Sequence, residues 1–264
     1  MSPRGGFSRG RLAATALVAA LVAVPGAMAA SPSPDAPSAK PAPAPTVDEI
    51  VGRYVAARGG IEKLRALRTL RQEGRVSAGA GRDGLVMREI KRPGKIRFEF
   101  TVQGVTSVFA SDGERGWKVN PLEGETAPKP LPDEVLIDAR EQADIDGPLV
   151  DWKNKGSRVE LLGREAVDGS DAWKLKVTLR SGGVLTAWVD VKTASLVRTE
   201  AARRVRGKQV RIETTFGDYR RTGGILFPHL VTVRASGRPQ VLKIVVDKVE
   251  VNPALSDTLF TPPA

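Results

Sequence analysis

The stretch KIRFEFTV at residues 95–102 alternates strictly between apolar and polar side chains. In an extended chain, its apolar members, Ile96, Phe98, Phe100 and Val102, fall on one side. The charged and hydroxyl residues between them fall on the other side. A period of two predicts an antiparallel strand with one buried face and one face toward water.

Further stretches along the chain repeat this pattern. DAWKLKVTLR at residues 171–180 sets Trp173 and Leu175 against lysines, and QVRIETTF at 209–216 places Phe216 on the apolar side. Glycine-containing turn signals separate the stretches at near-regular intervals, as at Pro93-Gly94, Asp168-Gly169 and Gly223-Gly224. About ten or eleven strands are expected, in one meandering antiparallel sheet or barrel.

Two helices are predicted beside the strands. Thr46 and Glu49 form a capping box that begins an amphipathic segment, and Gly59-Gly60 ends it. Residues 131–146 have a helical stripe that includes Val135 and Leu136, with a strongly acidic opposite face. A helix inserted halfway through a meander is expected to pack across the open concave side of the sheet.

The N-terminal segment has the features of a secretory signal peptide. Arg4, Arg9 and Arg11 precede the apolar run 12–24, which is shorter than the ~20 residues of a membrane span. Small residues follow, so cleavage is expected after Ala29, with residues 1–29 removed on export. Residues 30–45 are rich in proline, alanine and serine, which predicts an extended linker, and one folded domain is expected over 46–264.

Composition argues against several classes of function. The chain has 41 basic and 30 acidic residues, but the predicted export and the scattering of charge along strands argue against a nucleic-acid partner. A transient contact with an anionic membrane surface is the functional alternative to a solvated outer face. No cysteine is present, so the fold relies on packing rather than on disulfides.

The sequence contains no motif with the spacing of a familiar catalytic or metal site. His229 is the only histidine, and its place in a strand pattern predicts a hydrogen-bonded core residue rather than a general base. With no cysteine and one histidine, a metal site rich in nitrogen or sulfur is not expected, and no cofactor motif stands in a suitable context. We therefore expect a protein that is not an enzyme. A hydrolase that uses a carboxylate pair remains a minor alternative.

Four stretches follow one another in a characteristic order, namely IVGRYVAARGGIEKLRALRTL at 50–70, IKRPGKIRFEF at 90–100, SDGERGWKVNP at 111–121 and LFPHLVTV at 226–233. Their order resembles the LolA/LolB/LppX-like superfamily of periplasmic lipoprotein carriers, the outer membrane lipoprotein-sorting proteins. The resemblance implies a mostly β (α+β) fold, in which a single curved antiparallel sheet forms an incomplete β-barrel with an N-terminal helix and an inserted lid helix. Acyl chains of a lipid or lipoprotein would lie in its apolar trough.

The same resemblance suggests a binding site and partners. The expected ligand face includes Phe98, Phe100, Trp173, Leu175 and Phe216, with Val135 and Leu136 on the lid, although the five sheet residues are equally compatible with ordinary core packing. Arg92, before Pro93, matches an arginine that bonds to the helical lid. A membrane-bound donor or acceptor protein is a further possible partner. The alternative function is a periplasmic sensor or scaffold that binds a protein.

Overall fold

The computed structural model describes residues 44–79, 83–205 and 207–263. The predicted signal peptide and all but the last two residues of the predicted linker lie outside this part. The helices are α1 (Val47–Arg58), α2 (Ile61–Ala66) and α3 (Asp133–Gln142). The strands of the first half are β1 (Thr69–Ser77), β2 (Asp83–Lys91), β3 (Lys95–Val102), β4 (Val105–Ser111), β5 (Gly116–Asn120) and β6 (Glu125–Pro130). Those of the second half are β7 (Arg158–Val167), β8 (Ser170–Thr178), β9 (Val184–Asp190), β10 (Leu196–Val205), β11 (Lys208–Thr222), β12 (Ile225–Ala235) and β13 (Leu242–Val251).

In the described residues, the thirteen strands form one antiparallel sheet that does not close into a barrel. The order across the sheet is β6-β5-β4-β3-β2-β1-β13-β12-β11-β10-β9-β8-β7. The first and last strands therefore pair at the centre, and β6 and β7 form the two edges. The fold class predicted from the sequence is confirmed, with more strands than the expected ten or eleven. One strand that lacks apolar alternation is β6, ETAPKP, which has two prolines and lies at an edge.

The connection from β6 to β7 has to cross the whole width of the sheet, and α3 lies within it. This helix contacts β3 and β4 on one side and β10 on the other. The helix predicted over 131–146 is thus present, but it spans only Asp133–Gln142. The chain leaves the helix because Ala143 and Ile145 turn into the core, and Gly147 then adopts a positive φ of 78°.

The N-terminal helix forms as the capping box predicts. The Thr46 hydroxyl accepts a hydrogen bond from the Glu49 amide, and the Glu49 carboxylate accepts one from the Thr46 amide. Its buried residues, Ile50, Val51 and Tyr54, join the main core cluster with Trp173 and Leu175 of β8. The helix therefore covers one end of the concave face of the sheet.

The opposite, convex face is partly covered by the C-terminal segment. Trp117 donates a hydrogen bond from Nε1 to the carbonyl of the fully buried Phe260, at 3.0 Å. Arg97 donates to the carbonyl of Leu259 at 2.9 Å. This segment keeps the convex side of β3 and β5 out of water.

A glycine at the junction of the two halves of the sheet accommodates a close approach of backbones. The pairing of β1 with β13 shifts register between Glu73 and Gly74. A Cβ atom added at Gly74 would lie 2.1 Å from the carbonyl oxygen of Val245, which is far inside van der Waals contact. Only glycine fits there without a backbone shift.

We expect Gly74→Ala to lower the free energy of unfolding by about 2 kcal/mol, because the backbone has to move to admit the methyl group. Gly217→Ala in β11 is the matched control, since its added Cβ would meet only Leu230, at an ordinary 3.8 Å. Urea unfolding of both variants tests this. Equal stability of the two alanine variants would contradict the packing seen at Gly74.

Candidate functional site

A cavity of about 690 Å³ lies between the concave face of the sheet and the elements that cover it. Residues of β2 and β3 meet residues of β11, β12 and β13 around this space, so the sheet curves strongly. Tyr54 of α1 and Ile137 of α3 close it from the other side. The volume falls within the usual range for a site that encloses a small molecule, roughly 300–1,000 Å³.

One wall of the cavity is almost entirely apolar. Alternate residues of β11, β12 and β13 point to the same side of the sheet, so the branched and aromatic members of each strand meet there. The register places Phe216 opposite Val231 and Val231 opposite Ile244. The wall is formed by Ile212, Phe216, Val231, Val233 and Ile244, and we call these five residues the apolar wall.

Two of the eight ligand residues expected from the sequence line this cavity, namely Phe98 and Phe216. Phe100 lies outside the lining and stacks on Phe98, with 6.3 Å between ring centroids. Trp173 and Leu175 are on the expected inner face but are buried in the core that contains α1, where Leu175 has no exposed surface. Trp173 and Leu175 thus take part in core packing, which is the alternative given above for the five sheet residues.

The lid helix presents a different face to the cavity than its apolar stripe suggests. Val135 and Leu136 are not part of the lining, and a Leu136 methyl group lies against Gly116 of β5. Ile137, Asp138 and Glu141 line the cavity instead. The apolar stripe packs α3 against the strands beneath its first turns, so the carboxylates of Asp138 and Glu141 face the cavity.

Those inward carboxylates are held by an arginine from the far side of the sheet. Arg203 of β10 contacts Asp138 through Nε at 3.2 Å and Glu141 through Nη2 at 2.5 Å. The three side chains are mostly buried. Burial raises the pKa of Asp138 to about 6, with Arg203 opposing the rise and the nearby Glu141 and Glu134 carboxylates adding to it.

Acidification from pH 7 to pH 5 is expected to stabilise the fold through Asp138. Its folded pKa of about 6 exceeds the ordinary aspartate pKa of 3.8, so the native chain takes up this proton first as the pH falls. The gain is about 1 kcal/mol at pH 5 and is complete only below pH 4. Urea unfolding at pH 7, 6 and 5 measures it.

Asp138→Asn should remove most of this pH dependence. The pKa of Asp144 is also raised by burial, so a smaller slope of the same sign should remain. Asp257→Asn is the control, because Lys95 and Lys91 lower the pKa of Asp257 to about 2, outside the window. An unchanged slope in Asp138→Asn would show that the carboxylate is not buried as described.

Arg92 holds the segment that follows the lid helix. Its guanidinium donates to Asp146 Oδ2 at 2.6 Å, to the carbonyl of Leu67 at 2.7 Å and to that of Leu64 at 3.3 Å. Asp146 is 5% exposed and also accepts, through its backbone carbonyl, a hydrogen bond from Arg58 of α1. The acidic segment thus supplies a partner for Arg92, from the turn after α3.

Arg88 lines the cavity but is not among the ligand residues expected from the sequence. It lies in β2 between Val86 and Ile90, and all three line the cavity. The signal was present in the sequence LVMREIK, where a charged residue takes an inward position of an alternating strand. Burial lowers the pKa of Arg88 to about 10, which leaves it charged at neutral pH.

His229 is buried and hydrogen-bonded to the backbone. It is 5% exposed, and its Nδ1 donates a hydrogen bond to the carbonyl of Val246 at 2.7 Å. This is the buried, hydrogen-bonded position that the strand pattern predicts. Within residues 44–79, 83–205 and 207–263, no group of three histidine, aspartate or glutamate side chains is placed to hold a metal ion.

Among the helices described, none is both long and apolar enough to cross a bilayer.

Comparison with known proteins gives a structural match without a sequence match. No protein-family model matches the chain. No curated protein matches it either. Among solved structures, a DUF1329 family protein from Desulfovibrio piger matches with a TM-score of 0.55 at 15% identity, over 81% of this chain and 97% of that one.

Two further solved structures connect the fold with the resemblance seen in the sequence. A LolA superfamily protein from Nitrosomonas europaea matches with a TM-score of 0.52 at 17% identity, over 83% of this chain and 98% of that one. A domain from Vibrio parahaemolyticus, described as an outer membrane lipoprotein-sorting protein domain, matches with a TM-score of 0.52 at 13% identity, over 80% and 94%. The chain therefore has a LolA-like fold.

Proposed function

We propose that this protein is an exported, periplasmic carrier that shelters the acyl chains of a lipid or lipoprotein in its concave cavity during transfer between membranes. The apolar wall carries the proposal. An acyl chain gains ~0.8 kcal/mol for each CH₂ group removed from water, so a continuous apolar surface is sufficient to hold it. No bond has to be made or broken, which agrees with a protein that is not an enzyme.

The fold supports the same reading. The match to a LolA superfamily protein and to a domain described as lipoprotein-sorting gives a precedent for such a role in this architecture. The predicted signal peptide adds a route to the periplasm. The basic exterior is suited to a passing contact with an anionic membrane, since each cation near such a surface is worth about 1 kcal/mol.

In this proposal, Phe98 and Phe216 contact the acyl chain directly. Arg92 has a positioning role, because its bond to Asp146 fixes the segment that follows α3. Release would require α3 to separate from β10, where Arg203 holds it. The walls around the cavity are supported by residues outside its lining, namely Phe100, Val135, Leu136, Trp173 and Leu175.

Native mass spectrometry of the protein, purified from an exporting bacterial host without detergent, tests the proposal. We expect a population with extra mass that corresponds to a lipid or an acylated peptide. A single unliganded mass that persists after incubation with phospholipids and fatty acids would contradict it. Capture of one defined protein by that unliganded form would favour the sensor or scaffold instead.

A further inference from the structure

The cavity contains a positive charge that no carboxylate of the described residues neutralises. Arg88 extends from β2, opposite Phe98 of β3 and Gln72 of β1 in the strand register. Its guanidinium lies over the Phe98 ring, 5.6 Å from the ring centroid. It stands beside the C-terminal end of α3, where Nη2 donates to the carbonyl of Gln142 at 2.7 Å.

The partners of Arg88 are neutral and few. Nη1 donates to Gln72 Oε1 at 3.3 Å, and the buried Nε finds no acceptor within the described residues. No carboxylate of the described chain lies within 4.0 Å of this guanidinium. A guanidinium has five N–H donors, and those left over are expensive to keep away from water.

Two other cations around the same cavity are paired with carboxylates. Arg203 has Asp138 and Glu141, and Lys155 has Asp144 at 2.7 Å. For Arg88, burial without a compensating anion lowers the pKa of the guanidinium. Among the remaining lining cations, Arg58 donates to the Tyr54 hydroxyl and the Asp146 carbonyl, whereas Arg140 and Arg180 are exposed to water. Arg88 differs from them because its buried Nε meets no acceptor among the described residues.

The apolar wall begins within a short distance of this charge. Val86, next but one to Arg88, pairs with Gly74 of β1, which has no side chain. Gly74 pairs in turn with Val246 of β13, beyond which lies Ile244 of the apolar wall. A chain that starts at Arg88 can therefore pass over Gly74 and continue along apolar residues.

We propose that the ligand is an anionic amphiphile whose carboxylate or phosphate binds the Arg88 guanidinium inside the cavity while its acyl chain lies on the apolar wall. This inference rests on the proposed function and narrows its ligand class. Arginine binds both oxyanions with paired, charge-assisted hydrogen bonds. The ring of Phe98 and the carbonyl of Gln142 hold the guanidinium in place before the ligand arrives.

The test compares three single-chain ligands on the full chain and on Arg88→Met. Palmitate and a lysophosphatidic acid carry the two candidate anions, and hexadecanol has the same chain length as palmitate without the charge. We expect the wild type to bind at least one anion more tightly than hexadecanol. Arg88→Met should lower the affinity for the preferred anion about 10- to 100-fold and change the affinity for hexadecanol by less than about 3-fold.

The two anionic ligands distinguish a carboxylate from a phosphate as the group that binds Arg88. Preference for palmitate indicates a free fatty acid, and preference for the phosphate indicates a phospholipid head. Arg180→Met is the control for general charge, since Arg180 also lines the cavity; its effect should be below 3-fold. If Arg88→Met does not fold, Arg88→Lys keeps the charge, loses the planar fork and should bind the anion more weakly than wild type.

Failure of the inference is distinct from failure of the proposed function. Equal binding of palmitate and hexadecanol by wild type, unchanged in a folded Arg88→Met, overturns the inference and keeps the lipid carrier. Equal losses in Arg88→Met and Arg180→Met overturn it as well, since they indicate a general charge effect. Binding of none of the three ligands removes the support for both.

Discussion

Replacement of Arg92 by leucine is expected to lower the free energy of unfolding by about 3 kcal/mol. The substitution removes three hydrogen bonds and leaves the buried Asp146 carboxylate with Lys155 at 4.0 Å as its remaining ion-pair partner. Removing one partner of a buried ion pair is among the most costly single changes, because the other charge stays buried and unpaired. Urea unfolding measures the loss.

The matched control is Arg75→Leu. Arg75 makes a bidentate pair with Asp247, but both side chains are largely exposed, so we expect a much smaller loss than at Arg92. In the double variant Arg92→Leu/Asp146→Asn, part of the loss should be recovered because the unpaired charge is gone. A loss at Arg92 no larger than that at Arg75 would contradict the role given to this contact.

The same variant tests the positioning role proposed for Arg92. If the Arg92–Asp146 bond fixes the segment behind the lid helix, Arg92→Leu should speed the release of bound lipid as well as lower stability. Arg75→Leu should leave the release rate unchanged. A slower or unchanged release from folded Arg92→Leu would argue that this contact serves stability alone.

Replacement of Phe216 by aspartate is expected to weaken acyl-chain binding about 100-fold. Loss of a buried phenylalanine surface alone accounts for about 1.5–3 kcal/mol, and each 1.4 kcal/mol is a factor of ten in affinity. The new carboxylate adds a desolvation cost when the chain covers it. Because Phe216 is only half-buried, the variant should still fold.

Leu162→Asp is the control for this prediction. It adds the same charge at a residue of β7 that is 53% exposed and outside the cavity lining. Its lipid affinity should equal that of the wild type, as measured by displacement of a fluorescent fatty acid. Circular dichroism confirms the fold of each variant. Unchanged affinity in a folded Phe216→Asp would place the ligand somewhere other than the apolar wall.

The sequence was informative about the fold for a definite physical reason. Period-two alternation reports burial on one face, so Phe98 and Phe216 were placed on the inner side of the sheet from the pattern alone. The Thr46 capping box and the helix in the insertion were equally local, and both formed. Strand β6 was harder, because an edge strand with two prolines and no apolar face carries no alternating signal.

The site was less accessible from sequence because it depends on contacts between distant segments. Trp173 and Leu175 have the same alternation as Phe98, and only the position of α1 decides that they are core rather than cavity. The inward orientation of the Asp138 side chain depends on Arg203, which is distant from it in the sequence. Arg88 was visible as an inward charge, but its lack of a carboxylate is a property of the folded neighbourhood.

The central claim, that an acyl chain lies on the apolar wall, is tested most directly by photo-crosslinking. A palmitate that carries a diazirine in its chain would be bound to the wild-type protein, activated and mapped by mass spectrometry of peptides. The account predicts labels concentrated on Ile212, Phe216, Val231, Val233 and Ile244, all displaced by excess palmitate. Labels confined to the convex surface, or spread evenly and not displaced, would contradict it.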